Sequence, residues 1–318
     1  MPEGAHDLTP LDPAKFQNPF TTAKGETRAT VALSALNTLW FNTGSLCNIT
    51  CENCYMNSSP TNDDLVYLSR DHARTYLDEI ASQGLAVKDI GFTGGEPFMN
   101  RDLIGMLDDA MERGFTALIL TNAMKPLWQR RNDLLDFKAR HGAERLKLRV
   151  SIDHPTIEGH EEERGEGAWA PMEQGVKWLI EHGFHIDVAG RTMWGETVET
   201  ARQSYQHLFD AWHLDLDARD PARLVLFPEM DETCDVPEIT TQCWGILNVR
   251  PDAMTCATSR MVVHRKGESS PSVAPCTLLP FEARFDMGAR LADAGGEVAL
   301  NHPHCAKFCV LGGASCSG

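Results

Sequence analysis

The chain has 318 residues, of which 42% are hydrophobic and 23% charged, with a formal net charge of −16. This composition is typical of a soluble globular protein with one large domain, or with one large domain and a small additional one. The acidic balance argues against nucleic acid or an anionic membrane as a main partner, because both attract basic surfaces.

No apolar run approaches the roughly 20 residues of a membrane span, and the N-terminal stretch lacks the basic and apolar segments of an export signal. The expected compartment is therefore the cytoplasm. In that reducing compartment the ten cysteines indicate metal or redox groups before disulfides.

Residues 1–30 are polar and rich in Pro, Thr and Gly, which predicts a leader or a strap over the domain. From residue 31 to about 230, strand-like apolar runs alternate with helix-like segments. The predicted strands are 37–43, 87–93, 116–121, 146–152, 185–191 and 223–227. The predicted helices are 69–82, 102–113, 127–141, 172–182 and 197–212, and all but the last are followed by a glycine suited to a helix C-cap.

This β–α alternation predicts parallel strands with crossover helices, closed either as an open doubly wound sheet or as a barrel-like sheet. The local pattern does not distinguish the two. In both, ligands bind beyond the carboxyl ends of the strands. Residues 231–318 are loop-rich and hold seven of the ten cysteines, which predicts a separate small module.

Three cysteines follow the first predicted strand directly. Cys47, Cys51 and Cys54 have the spacing C-x3-C-x2-C. A zinc site would need a fourth ligand, for example from the distant C-terminal cysteines. A [4Fe–4S] cluster is the alternative, because soft thiolates suit it and three protein ligands leave one iron open to another molecule.

With Tyr55 beside it, this motif resembles that of the radical SAM superfamily. A second motif, GFTGGEP at residues 91–97, follows the second predicted strand. It resembles the family's GGE motif, which holds the amino group of S-adenosylmethionine (SAM). Gly94 and Gly95 would let the backbone approach the ligand, and Glu96 would be the negative partner of the ammonium. Taken alone, the same stretch is also compatible with a turn.

Later strand ends extend the resemblance, which implies further SAM contacts at Thr121, Ser151, Asp153 and Arg191. The alternatives are that such polar residues only form turns and that Arg191 lies on the surface. Ala123 and His154 stand where the family commonly has glycine, a departure that concerns loop geometry more than chemistry.

The C-terminal stretch QCWGILNVRPDAMTC, residues 242–256, resembles the start of a SPASM or twitch module. The resemblance implies an auxiliary [4Fe–4S] cluster, one rather than two. Its candidate ligands are Cys243, Cys256, Cys276, Cys305, Cys309 and Cys316. Zinc is the alternative, because His302 and His304 flank Cys305. Cys234 fits no spacing and is interpreted as an ordinary thiol.

Two further segments lie near the expected site. The acidic run at 159–169 is predicted to be a solvated loop that could cover the strand ends. Glu229 and Asp231 follow the sixth strand and are candidate catalytic proton acceptors.

Together these motifs predict a radical SAM enzyme with a partial (β/α)6 TIM-like barrel and a small cysteine-rich C-terminal module. The resemblance implies reductive cleavage of SAM to a 5′-deoxyadenosyl radical, which abstracts a hydrogen atom from a peptide, protein or small-metabolite substrate. It also implies an electron donor such as flavodoxin or ferredoxin. A non-catalytic, redox-sensing iron–sulfur protein is the alternative hypothesis.

Overall fold

The computed structural model describes residues 9–313, and every structural statement below concerns these residues. Cys316 and the start of the predicted leader lie outside them. None of the described helices combines the length and the apolar character that crossing a membrane requires.

The fold is organised around an eight-stranded sheet of order β7-β6-β5-β4-β3-β2-β8-β9, with all neighbours parallel except β8 and β9. A two-stranded antiparallel ribbon pairs β1 with β10. The strands are β1 Thr30–Val31, β2 Thr38–Asn42, β3 Asp89–Thr93, β4 Thr116–Thr121, β5 Leu146–Ser151, β6 His185–Arg191, β7 Leu224–Phe227, β8 Ser259–Val263, β9 Ser272–Ala274 and β10 Val298–Ala299.

Crossover helices connect the parallel strands, as the alternating pattern predicts. The α-helices are α1 Arg70–Gln83, α2 Leu103–Glu112, α3 Lys125–Gln129, α4 Arg131–His141, α5 Ile157–Arg164, α6 Trp169–Glu181, α7 Val198–Ala211 and α8 Cys243–Leu247. Short 3₁₀ turns lie at Pro97–Met99, Pro251–Ala253, Thr255–Ala257, Ala283–Phe285 and Leu291–Asp293, and a π-helix at Cys305–Leu311.

The local signals that predict the helices act as expected. Ser69 caps α1 by accepting a hydrogen bond from the backbone N–H of His72. Gly84 ends the helix in the left-handed region with φ 63°, where a side chain would be strained.

Two predicted segments differ in the structure. The segment 127–141 is divided between α3 and α4, which meet at Arg130. The acidic run at 159–169 is not a solvated loop, because most of it belongs to α5 and α6. Thr156 caps α5 by accepting from the N–H of Gly159, and Glu158 lies in the first turn. That cap and acidic first turn are a helix-start signal that the charge of the run obscures.

The C-terminal segment contributes directly to the sheet. β8 pairs in parallel with β2, from Thr38 opposite Ser259 to Phe41 opposite Val262. One apolar cluster joins Phe16 of the N-terminal segment to Met261 of β8 and Phe308 of the π-helix. The domain boundaries near residues 30 and 230 stay predictions, since shared strands and core residues cross both.

Candidate functional site

A cavity opens at the carboxyl ends of the parallel strands, where an α/β fold places its ligands. Most of the predicted site residues line it, namely Cys47, Cys51, Cys54, Tyr55, Gly94, Gly95, Thr121, Ser151, Asp153 and Arg191. Asn122, Arg149 and Arg164 also line it, although the sequence motifs do not single them out. The strands thus bring together residues that are more than 140 positions apart in the chain.

The three cysteines of the first motif lie at this cavity without being equally buried. Cys47 is buried, and Cys51 and Cys54 are partly exposed. Burial raises the pKa of Cys47 to about 12 and also raises the pKa of Cys51, while the charge of Arg164 lowers both. The thiols of Cys47 and Cys51 therefore stay protonated near neutral pH unless a metal ion displaces their protons.

The spread of the sulfur atoms separates the two metal hypotheses. Thiolates on one zinc ion, at ~2.3 Å from the metal, stand about 3.8 Å apart. In the described chain, the sulfurs of Cys47, Cys51 and Cys54 do not all lie within 4.8 Å of one another. The same is true of any three sulfurs of the C-terminal cysteines. The three sulfurs therefore do not form a ready-made single-ion site, and a multi-iron cluster, whose thiolates bind different irons, does not require one.

The two glycines of the second motif bring β3 against the cysteine segment. Gly94 has φ 135°, and a Cβ there would lie 2.4 Å from the carbonyl oxygen of Gly44. A Cβ on Gly95 would lie 2.1 Å from the carbonyl oxygen of Leu46. The N–H of Gly95 donates to the Gly44 oxygen at 2.8 Å. The glycines therefore line the cavity and also fix the segment that leads into Cys47, a packing role that the motif alone does not reveal.

Glu96 lies behind these glycines and is only 1% exposed. Its carboxylate accepts hydrogen bonds from the Thr121 hydroxyl at 2.9 Å and from the Asn122 N–H at 2.8 Å. Burial raises the pKa of Glu96 to about 7, although these hydrogen bonds act in the opposite direction. The site thus holds a carboxylate whose ionisation a nearby cation would favour.

The turn after β4 adopts a glycine-like conformation without a glycine. Ala123 has φ 56°, in the left-handed region. Gly175 of α6 packs so closely that a Cβ on it would lie 1.9 Å from the Ala123 carbonyl oxygen. Asn122, one residue earlier, donates to the Asn48 side chain at 2.9 Å and lies 3.8 Å from the Cys47 sulfur. The replacement of glycine by alanine therefore keeps the loop geometry.

A buried ion network forms the opposite wall. Asp153 accepts from Arg164 at 2.6 Å and from Arg191 at 3.3 Å. Burial raises the pKa of Asp153, but the two guanidinium groups outweigh it and hold that pKa below its ordinary value. Arg191 also donates to the backbone oxygen of Asn53, between two of the cysteines. Arg191 is buried, which rules out the alternative of a surface arginine.

The two candidate proton acceptors stand apart from this network. Neither Glu229 nor Asp231 is among the described residues that line the cavity. Asp231 accepts from the Cys234 thiol at 2.9 Å and from the Thr233 N–H at 2.8 Å, and these bonds lower the pKa of Asp231. A carboxylate so engaged is a weak base, and the catalytic role of both residues stays a prediction.

Four of the C-terminal cysteines occupy a second, closed site. Cys256, Cys276, Cys305 and Cys309 are between 5% and 8% exposed. Burial, together with the charges of the other three, raises the pKa of Cys305 well above its ordinary value. Cys243, at the start of α8, packs against the same apolar cluster but is only half-buried, and the Thr240 N–H donates to its sulfur at 3.4 Å. Four neighbouring thiols are the donor set of a metal centre with four cysteine ligands.

The histidines that suggest zinc have partners of their own. His304 donates from Nε2 to the Met230 carbonyl at 2.8 Å. His302 approaches Glu232 at 3.5 Å through Nε2, while its Nδ1 accepts from the His304 N–H at 3.1 Å, so a neutral His302 ring carries its proton on Nε2. Glu232, His302 and His304 each place one potential ligand atom within 4.8 Å of the others, which keeps a single metal ion as the alternative for these three residues.

The two cysteine sites meet through aromatic side chains. The Tyr55 ring stacks on Phe227 with centroids 6.1 Å apart and contacts His304 edge-on at 6.5 Å. Tyr55 follows Cys54, and His304 precedes Cys305.

Comparison with known proteins agrees with this geometry. The Radical SAM superfamily matches residues 41–207. The protein AlbA of subtilosin biosynthesis from Bacillus subtilis is 27% identical over 144 residues, which are 45% of this chain and 30% of AlbA. Fe-coproporphyrin III synthase from Methanosarcina barkeri is 37% identical over 79 residues, 24% of this chain and 18% of that protein. The chain thus spans less than a third of the length of either relative.

Among solved structures, SuiB of Streptococcus suis bound to S-adenosylmethionine superimposes with a TM-score of 0.58 at 12% identity, covering 88% of this chain and 68% of SuiB. This similarity supports the fold, a partial barrel with a C-terminal extension. The family match covers more than half of the chain and includes both motifs at the cavity. The chain therefore belongs to the radical SAM superfamily of enzymes.

Proposed function

We propose that the chain binds a [4Fe–4S] cluster through Cys47, Cys51 and Cys54 and cleaves SAM reductively. The observation that carries this proposal is the convergence of three thiols, the backbone of Gly94 and Gly95, and a buried ion network on one cavity. Cluster and SAM are the cofactors of the family, and the donor set and sulfur spread described above fit the cluster.

The charged groups at the cavity suit the two ends of an amino acid. Glu96, behind Gly94 and Gly95 and not itself among the lining residues, offers a negative charge to the SAM ammonium, which would help it to ionise. Arg164 uses Nε and Nη2 for Asp153, so its remaining nitrogen, Nη1, is available to the SAM carboxylate. Arg191 is held by Asp153 and by Asn53, which suits it to positioning Asp153 and the cysteine loop.

When bound, the cluster supplies the electron that splits SAM into methionine and a 5′-deoxyadenosyl radical. The chain's part is to hold the sulfonium close to the open coordination position and to shield the radical from water. Tyr55 and Phe227 give one side of the cavity an aromatic wall suited to that shielding.

The closed site is proposed to hold one auxiliary [4Fe–4S] cluster with Cys256, Cys276, Cys305 and Cys309 as ligands. Four protein ligands leave no iron open, which favours electron relay over substrate binding. Cys243 is the weaker candidate because it is less buried than these four and its sulfur accepts from the Thr240 N–H, and the role of Cys316, outside the described residues, stays a prediction.

The substrate class is proposed to be a peptide, from which the radical abstracts a hydrogen atom. AlbA belongs to the biosynthesis of a bacteriocin, and SuiB has been solved with its precursor peptide SuiA. A reduced flavodoxin or ferredoxin is the proposed electron donor. A protein or small-metabolite substrate is the alternative.

The test is anaerobic reconstitution with iron and sulfide, followed by reduction and addition of SAM. The intact chain should release 5′-deoxyadenosine and methionine, and Cys51→Ala should not. A chain that carries a full complement of iron and releases no nucleoside, even with candidate peptides present, would support the redox-sensing alternative.

A further inference from the structure

A buried arginine lies beside the closed cysteine site. Arg260 is on β8, is only 1% exposed and is among the largest fully buried side chains. Its guanidinium donates to the backbone oxygens of Cys256 at 2.6 Å, Ser259 at 2.8 Å, Ala294 at 2.8 Å and Gly296 at 3.2 Å. These bonds hold the cation in one orientation, with one bond directly to a proposed cluster ligand.

Arg260 differs from the buried Arg28 and Arg191, and from the partly buried Arg164, in what balances its charge. Arg164 and Arg191 pair with Asp153, and Arg28 pairs with Glu238. Among the described residues, no carboxylate forms a salt bridge with Arg260, whose hydrogen bonds go to neutral carbonyls. A cation removed from water without an opposite charge is strongly disfavoured.

The available opposite charge is on sulfur. The Arg260 guanidinium donates to the Cys256 carbonyl at 2.6 Å, and the groups whose negative charge would act on it are the thiolates of Cys256 and Cys276. Protonated thiols would leave the guanidinium uncompensated. Cysteines that ligate a metal cluster are thiolates, so a filled site resolves both problems at once: it ionises the thiols and gives Arg260 its counterions.

We propose that Arg260 is the internal countercharge of the four-cysteine site and raises the reduction potential of the auxiliary cluster bound there. This inference rests on the proposed auxiliary cluster. Four thiolates on a cluster with a core charge of about +2 leave the unit at about −2, and one-electron reduction makes it more negative by one. A fixed cation favours the more negative, reduced state, most strongly in a site that excludes water.

The step to be measured is the uptake of one electron from an external one-electron reductant, with no bond made or broken. Arg260→Met removes the charge and the hydrogen bonds. Arg260→Lys keeps the charge and loses part of the bonding. Arg28→Met is the matched control, because Arg28 is 2% exposed and also binds backbone oxygens, at Asn18, Thr21 and Leu300, but pairs with a carboxylate.

The experiment begins with iron and sulfide counts on the anaerobically reconstituted wild-type chain. About eight irons per chain correspond to two [4Fe–4S] clusters. A wild-type count of about four irons that are lost in Cys51→Ala and kept in Cys276→Ala would mean that the auxiliary cluster is absent. That outcome would overturn the proposal without any Arg260 variant.

With two clusters present, redox titration followed by electron paramagnetic resonance gives the potential of the auxiliary cluster. We expect Arg260→Met to lower the equilibrium constant for its reduction at least tenfold, which for one electron is about 59 mV. Arg260→Lys should stay within threefold of wild type, and Arg28→Met should match wild type. An unchanged potential in Arg260→Met, or equal shifts in the Met and Lys variants, would overturn the inference.

Loss of the auxiliary cluster in Arg260→Met would prevent that titration, and iron retention then decides. If both variants fold, and Arg260→Lys keeps two clusters while Arg260→Met keeps one, the result supports the role of Arg260 as a countercharge. Loss of the cluster in both variants would show that the carbonyl contacts matter and the charge does not.

Discussion

The two cysteine sites of this chain differ in exposure and in how their charges are balanced. At the first site Cys51 and Cys54 are partly exposed at the wall of a cavity, with acids and arginines paired beside them. At the second, four thiols are almost fully buried beside one arginine that has no acidic partner among residues 9–313. The first arrangement suits a cluster that exchanges ligands with solvent or substrate. The second suits one whose coordination stays closed.

The difference also concerns electrostatics. Arg164 divides its attraction between Asp153 and the thiols of the open site, so its effect on a cluster there is reduced. Arg260 shares its charge with no carboxylate among the described residues, so its effect on the closed site is undivided. We therefore expect the two clusters to have distinct reduction potentials.

The largest expected effect separates the two sites by their ligands. Cys51→Ala should abolish 5′-deoxyadenosine release, because the open site then has two thiols. Cys276→Ala should lose about half of the iron and keep SAM cleavage in the presence of a strong chemical reductant. Iron counts and nucleoside assays measure both. Nucleoside release by Cys51→Ala would contradict the assignment of the open site.

Arg164→Gln tests whether the ion network binds SAM. Truncation of one partner of a buried charge pair generally costs 2–5 kcal/mol, so we expect SAM affinity to fall at least roughly tenfold. Arg223→Gln is the matched control, because Arg223 forms the same 2.6 Å contact with Asp187, outside the SAM-site cavity. Equal affinities of the two variants in equilibrium binding would contradict the assignment.

Glu96 gives the open site a pH dependence. Its pKa rises from an ordinary 4.5 to about 7 in the fold, so the folded chain holds a proton that the unfolded chain releases. The contribution of Glu96 to the free energy of unfolding of the SAM-free chain should therefore be greatest below pH 4.5. It should fall, by on the order of 3 kcal/mol, as the pH rises through 7.

SAM affinity should change in the opposite direction over the same interval, because the ammonium pairs with the ionised carboxylate. Glu96→Gln should flatten both profiles. Denaturant unfolding and SAM binding between pH 5 and 8 measure them, and parallel profiles of wild type and variant would show that another group titrates.

The smallest expected effect concerns the turn beside Cys47. Ala123→Gly should stabilise the chain by up to about 1 kcal/mol, because glycine adopts φ 56° without strain. Gly175→Ala is the opposing change and should destabilise by about 1–3 kcal/mol, since its Cβ would meet the Ala123 carbonyl. Thermal unfolding compares the two, and a destabilised Ala123→Gly chain would mean that the turn is not strained.

The sequence alone determined the β–α order, the ends of α1 and the position of the three-cysteine motif. These features depend on local chemistry: strand-forming runs, a serine cap, a left-handed glycine and ligand spacing. The motif resemblance also predicted which strand ends would face one cavity, since the carboxyl ends of parallel strands meet at one edge.

The tertiary structure decided what depends on distant partners. Arg164 belongs to an acidic run that looks solvated, and only the tertiary contact of α5 with Asp153 places its guanidinium near Cys51. Cys256, Cys276, Cys305 and Cys309 become one group because β8 joins the sheet next to β2 and shares an apolar cluster with the π-helix. The sequence SRMVV of β8 does not predict that Arg260 lacks a carboxylate partner among the described residues. That property depends on every side chain that surrounds Arg260 in the fold, and most of these are distant in the sequence.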